Sequence, residues 1–130
     1  MTTTKSVGEI MTKKLETIAI SNSAQEAAKK MRDKNVSSLL VIDNNNNNNS
    51  RPIGIVTERD LVRKVCVNDA SSKHTMIQEI TSSPLITIDA ISSVEVAADV
   101  MIQNKVRHLL VVEENDINRT SRYNYSWRLY

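Results

Sequence analysis

The sequence predicts an α/β (α+β) protein made of two tandem repeats, each a small sheet with two helices. Three observations carry that prediction. Residues 7–43 laid on residues 77–113, a constant offset of 70 without a gap, agree at 13 of 37 positions. An ungapped match of this length marks an internal duplication. Each copy carries a helical pattern of small apolar residues, followed by a continuous apolar run of the kind that suits a strand covered on both faces. The first copy closes on a third run, Ile53-Gly-Ile-Val-Thr57, that hands over to a second helix at Glu58.

In order, each copy opens on a short segment, which ends in Ile10-Met11 in the first and Ile80-Thr81 in the second. Brief strands follow at Leu15 to Ile20 and Leu85 to Ile88. Ser23-x-x-Glu26 predicts a capping box, with Ala24, Ala27, Ala28 and Met31 on one helical face. Ser92-x-x-Glu95 predicts the equivalent box, with Val94, Ala97, Ala98 and Met101 on the face. Val36 to Ile42 and Val106 to Val112 are the central strands. Asn44 to Asn49, a run of six, reads as a solvated connection. A helix is predicted from Glu58 to about Val67, and residues 68–75 as a polar linker in which His74 is exposed. The predicted divisions are 5–69 for the first repeat, 70–118 for the second, lacking its last strand and helix, and 119–130 for an atypical aromatic and basic tail. Tyr123, Tyr125 and Trp127 alternate with polar residues there, which predicts a strand beside Leu109 to Val112. At the offset of 70, Trp127 would stand where Thr57 stands in the first copy and fill the second cleft.

Composition narrows the function classes. A hydrophobic fraction of 40%, a charged fraction of 25% and a net charge of +2 describe a globular chain without the basic excess that nucleic-acid binding needs. The tail, with Arg119, Arg122, Arg128 and four aromatics, is the only stretch suited to stacking on bases. No apolar stretch approaches the roughly 20 residues of a membrane span, and the N-terminus lacks a signal-peptide pattern, so a cytoplasmic location is expected. Cys66 is the single cysteine and is expected in the core. Gly8 and Gly54 are the only glycines, which excludes Gly-rich phosphate loops, and no catalytic or metal-ligand spacing is present. Catalysis is therefore not expected.

The stretch with most chemistry is Thr57-x-x-Asp60, at a strand-to-helix junction. It fits two readings, a capping box and an anion- or hydroxyl-recognising site at a helix start.

Duplication, the GIVTERD motif at 54–60, the EIMTKKLETI opening at 9–18 and Val-Arg-His-Leu-Leu-Val-Val at 106–112 together resemble a CBS-domain pair (a Bateman module) over about residues 5–118. The resemblance implies a pseudo-two-fold module that senses an adenosyl ligand, AMP, ADP, ATP or S-adenosylmethionine, in clefts between repeats, with homodimerisation and an unidentified target protein. It implies that Asp60 accepts from the ribose hydroxyls and that Thr57 lies against phosphate or ribose, with Ile55 and Arg59 beside them. It further implies that Thr17, Ile18, Ala19 and Ile20 meet the base and that Arg107 and His108 face the phosphates. The first copy has Ser37 and Ser38 in place of those two basic residues. The alternative function is a homodimeric interaction module with no small ligand.

Overall fold

The computed structural model describes residues 5–10, 15–43, 52–81, 85–112 and 123–128, the backbone alone at 10 and 123–128. Its elements run α1 (Val7–Ile10), β1 (Thr17–Ala19), α2 (Ala24–Lys34), β2 (Ser38–Ile42), β3 (Pro52–Thr57), α3 (Glu58–Asp60), a π-helix (Leu61–Cys66), α4 (Ile77–Ile80), β4 (Thr87–Asp89), α5 (Val94–Asn104), β5 (His108–Val112) and β6 (Tyr123–Arg128). The Asn44 to Asn49 connection lies outside the described residues.

Two compact units result, and they divide the chain differently from the copied segments. Glu16–Leu85 forms one; Met1–Leu15 with Ile86–Tyr130 forms the other. In the first, β2 is the middle strand, parallel to β1 and antiparallel to β3. Leu39, Leu40 and Val41 are buried in succession, as a strand covered on both faces requires. One face carries a core of Ile18, Ala24, Ala27, Met31, Leu39, Val41, Val56 and Val65, completed by Ile77 and Ile80 of α4. In the second unit β5 is the middle strand between β4 and β6, and Ile88, Ala97, Met101, Leu109 and Val111 pack with Val7 of α1. The Val7 N–H donates to the Ser92 carbonyl at 2.8 Å and Gly8 N–H to Ala90 O at 3.0 Å. A side chain at Gly8 would press on that carbonyl, with its Cβ 3.2 Å from it.

Helix α2 starts as its sequence predicts. Ser23 accepts from the Glu26 N–H at 3.1 Å, and the Glu26 carboxylate accepts from Ser23 N–H at 2.9 Å. Ala24, Ala27 and Met31 are buried, whereas Ala28 is exposed. Asn35 ends the helix in the left-handed region (φ 54), as Lys105 (φ 56) ends α5.

Ser23 N–H, followed by the Asn22 amide, holds the Glu26 carboxyl below the usual glutamate range. A folded-state value below the unfolded one stabilises fully above the unfolded value of about 4.3 and is lost as pH falls through the folded value. Glu26→Gln should therefore cost stability at pH 6 but progressively less towards pH 3. Urea titrations showing the same difference at both pH values would refute this.

Three expectations are corrected. The α5 cap is Ser93, whose hydroxyl accepts from Val96 N–H at 3.2 Å. Ser92 lies one residue before that cap, its carbonyl accepting Val7 N–H, and the predicted box with Glu95 does not form. Cys66 is exposed, because the buried side of its helical stretch is narrow: Val65 is buried and Leu61 partly so, while Val62 is 55% exposed. The helix expected from Glu58 to about Val67 forms, and over Leu61–Cys66 it is wound with i→i+5 bonds. The tail strand does pair with β5, but Trp127 lies opposite Leu109, the position Val56 holds opposite Leu39, and Arg128 takes the Thr57 position opposite His108. The side chains of β6, and so what Trp127 fills, lie outside the described residues. His74 is exposed as expected, with its Nδ1 2.9 Å from Ser71 Oγ.

Candidate ligand site

Strand β3 delivers Thr57 to the point where the chain turns into α3. Thr57 keeps extended backbone angles (φ −124, ψ 166), which is the conformation of a residue that caps a helix without joining it. Its hydroxyl accepts from Asp60 N–H at 3.1 Å and donates to Asp60 Oδ2 at 3.1 Å; the same Oδ2 accepts Thr57 N–H at 2.9 Å. The capping reading of Thr57-x-x-Asp60 is thus realised in full.

More than a cap is present. Asp60 is 8% exposed, and a carboxylate so far from water requires charge-assisted partners. Its second oxygen, Oδ1, lies 3.2 Å from Lys64 Nζ, which also donates to the Ile80 carbonyl at 3.0 Å. Glu58 N–H donates to Ser37 O at 3.0 Å and ties the start of α3 to the head of β2.

The other predicted contacts are distributed as follows. Thr17 and Ile55 flank the same residue, Leu40, so two strand spacings, about 9.5 Å, separate them. Thr57 opposes Ser38 and Ala19 opposes Ile42, four residues or about 13 Å apart along β2. The Thr17 end of the stretch is therefore the near one and Ile20 the remote one. Ile18 is buried in the core. Ala19 N–H is taken by Asn22 Oδ1, Ile20 N–H by Ile42 O, and Ile20 O by Gln78 N–H. Arg59 is exposed beside Asp60. Arg107 (exposed) and His108 (half-buried) belong to the other unit, at the head of β5. Lys64 is absent from the residues that the sequence motifs pick out, although its i,i+4 spacing from Asp60 is a signal that could have found it. Its Ile80 partner, sixteen residues away, is a product of the tertiary fold.

A family model described as CBS domain matches residues 7–66 and 77–119. The chain belongs to the CBS-domain family. Relatives of this CBS pair include an uncharacterized protein of Methanopyrus kandleri, 34% identical over 110 residues (85% of this chain and 54% of that protein). A 17.7 kDa protein of Acidianus ambivalens is 32% identical over 109 residues, 84% of this chain and 62% of that one. The CBS pair thus spans little more than half the length of these relatives. Among solved structures, a hexameric CBS-CP12 protein from bloom-forming cyanobacteria superposes with a TM-score of 0.82 at 26% identity, covering 96% of this chain and 67% of that one. Among the described residues, no helix is long and apolar enough to cross a membrane.

Proposed function

We propose that this CBS pair is a regulatory module whose Glu16–Leu85 unit takes an adenosyl ligand, AMP, ADP or ATP foremost and S-adenosylmethionine as the variant without phosphates. The observation that supports it is the Asp60 carboxylate. It is buried, positioned by Thr57 through Oδ2, and its Oδ1 is paired with the Lys64 ammonium at 3.2 Å. The vicinal hydroxyls of a ribose are donors that suit such an oxygen, and charge-assisted bonds of this kind contribute on the order of 1.5–3 kcal/mol. Thr57, Ile55 and Thr17 are the neighbouring contacts in this reading. Ligand occupancy would then be read by a target protein, which makes the module regulatory rather than catalytic.

Thermal denaturation against a panel of adenine nucleotides gives the first test, since a ligand at about 100 times its Kd adds about 2.7 kcal/mol if it binds the folded state alone. Calorimetry gives the second. Asp60→Ala should weaken binding of the active nucleotide at least about tenfold. A purely capping carboxylate predicts instead a stability loss of about 1 kcal/mol with unaltered affinity, and that outcome would sink the proposal. Asp60→Asn separates the two, because an amide oxygen can still cap.

Self-association is the second reading. Val62 and Val67 are 55% and 72% exposed on the same helical stretch. An open groove lies beside it, lined by Met31, Arg32, Val36, Glu58 and Leu61 among others. The solved CBS-CP12 protein that this chain resembles is hexameric, which supports self-association as a reading. Sedimentation of a lone 14.6 kDa species at micromolar concentration would count against it.

A further inference from the structure

The Lys64 ammonium touches two groups that belong to different elements of the unit. On one side is Asp60 Oδ1 at 3.2 Å; on the other is the carbonyl of Ile80 at 3.0 Å. Ile80 is the last residue of α4, whose Ile77 and Ile80 side chains complete the core of this unit. The chain leaves the unit soon after, at Leu85. The end of α4 is poorly secured by its own residues. Thr81 N–H closes the last turn on Ile77 O at 2.9 Å, but the Thr81 hydroxyl is buried with no hydrogen-bond partner among the described residues. Lys64 therefore supplies a bond to a helix end that its own side chains do not cap, and a cation there also matches the negative end of the helix.

The winding of the helical stretch matters to this contact. A segment with i→i+5 bonds holds more residues per turn than an α-helix, which changes the angular positions of Arg63, Lys64 and Val65 relative to Asp60. Val65 is buried in the core and Lys64, one residue earlier, is carried onto Asp60 with its side chain still 42% exposed. Such single turns cluster at functional sites.

We propose that Lys64 is the positioning residue of the site: its ammonium couples Asp60 Oδ1 to the Ile80 carbonyl, so that the ligand-recognising carboxylate and the end of α4 are held or released together. This rests on the proposed role of Asp60 for its meaning, but not for its test. A ligand hydroxyl that recruits Oδ1 competes with Lys64 for that oxygen, and α4 registers the competition sixteen residues away from Lys64.

Amide hydrogen exchange on the ligand-free protein decides it. Lys64→Met keeps the length of the side chain and removes the charge. In that variant the Asp60 and Thr81 amides should exchange about fivefold faster, the factor that one net hydrogen bond confers on a local opening. Amides of α2 such as Ala27 should be unmoved. Lys64→Arg should restore both protected sites, and in an Asp60→Asn background Lys64→Met should change Thr81 much less. Unchanged Thr81 exchange in Lys64→Met, or equal changes with and without Asp60, would overturn the coupling. A repeat with AMP adds a separate arm. If calorimetry finds binding, AMP should speed Thr81 exchange in the parent and leave Lys64→Met unaltered; the same AMP response in both would also overturn the coupling. If no adenine nucleotide binds, the nucleotide reading fails, and the ligand-free comparison still decides whether Lys64 couples the two elements.

Discussion

Deletion of residues 120–130 should destabilise the Met1–Leu15 and Ile86–Tyr130 unit by on the order of 3 kcal/mol and leave its middle strand with one neighbour. The register between β5 and β6 runs from His108↔Arg128 to Val112↔Tyr123, whereas β4 contributes three pairs on the other side. Leu109, Leu110 and Val111 are at most 1% exposed. Re-exposing about half of each, at about 1.5–3 kcal/mol per fully buried side chain, gives a loss of that size. The sharp readout is local: amides of Leu109 to Val112 should lose protection while those of Leu39 to Ile42 keep theirs. A newly bared edge also predicts concentration-dependent aggregation. Identical protection of β5 in the truncated protein would refute the role given to β6.

Leu39→Ala should cost about 2–5 kcal/mol, as for a large side chain removed from a packed core. Leu39 is 1% exposed and lies in the cluster with Ile18, Met31, Val56 and Val65. Against a domain stability of about 5–15 kcal/mol, that is a large share. Leu109→Ala, the equivalent change at the offset of 70, should cost a similar amount in the other cluster. Denaturant titrations give the size of each loss. A loss below about 1 kcal/mol for Leu39→Ala would mean that the cluster collapses around the vacancy or that its packing is misassigned.

The duplication makes the architecture legible. Once 7–43 and 77–113 are aligned, a helix starting after Ser23 and a strand at Leu39-Leu40-Val41 require their counterparts, and both are present. The tail strand is legible from alternation alone, though its expected placement slips by one residue because pairing, not copy number, sets the register. Glu95, three residues after Ser92, favours Ser92 as the cap, whereas the offset of 70 places Ser93 opposite Ser23, the residue that caps α2. The winding of Leu61–Cys66 and the exposure of Cys66 are hidden because apolar spacing cannot tell an α-turn from a π-turn over six residues. At the site, Thr57 and Asp60 are readable as a pair, while Lys64 acquires its meaning from Ile80, which chain folding brings to it.

The way residues 5–10 attach to residues 90–94 has a consequence for how the protein is born. Lys5 O accepts from Val94 N–H at 3.1 Å, so one unit is closed by a span of almost ninety residues, inside which the other unit lies complete in sequence. The inner unit can reach its native pairings once Leu85 has left the ribosome. The outer one must keep Val7, a residue 0% exposed when folded, waiting until β4 and α5 have been made. At about 5–20 residues per second that interval lasts seconds, and the long closure makes the outer unit the slower to form. Slow or stalled translation after Leu85 should therefore yield a chain with a finished inner unit and with Val7 still unburied.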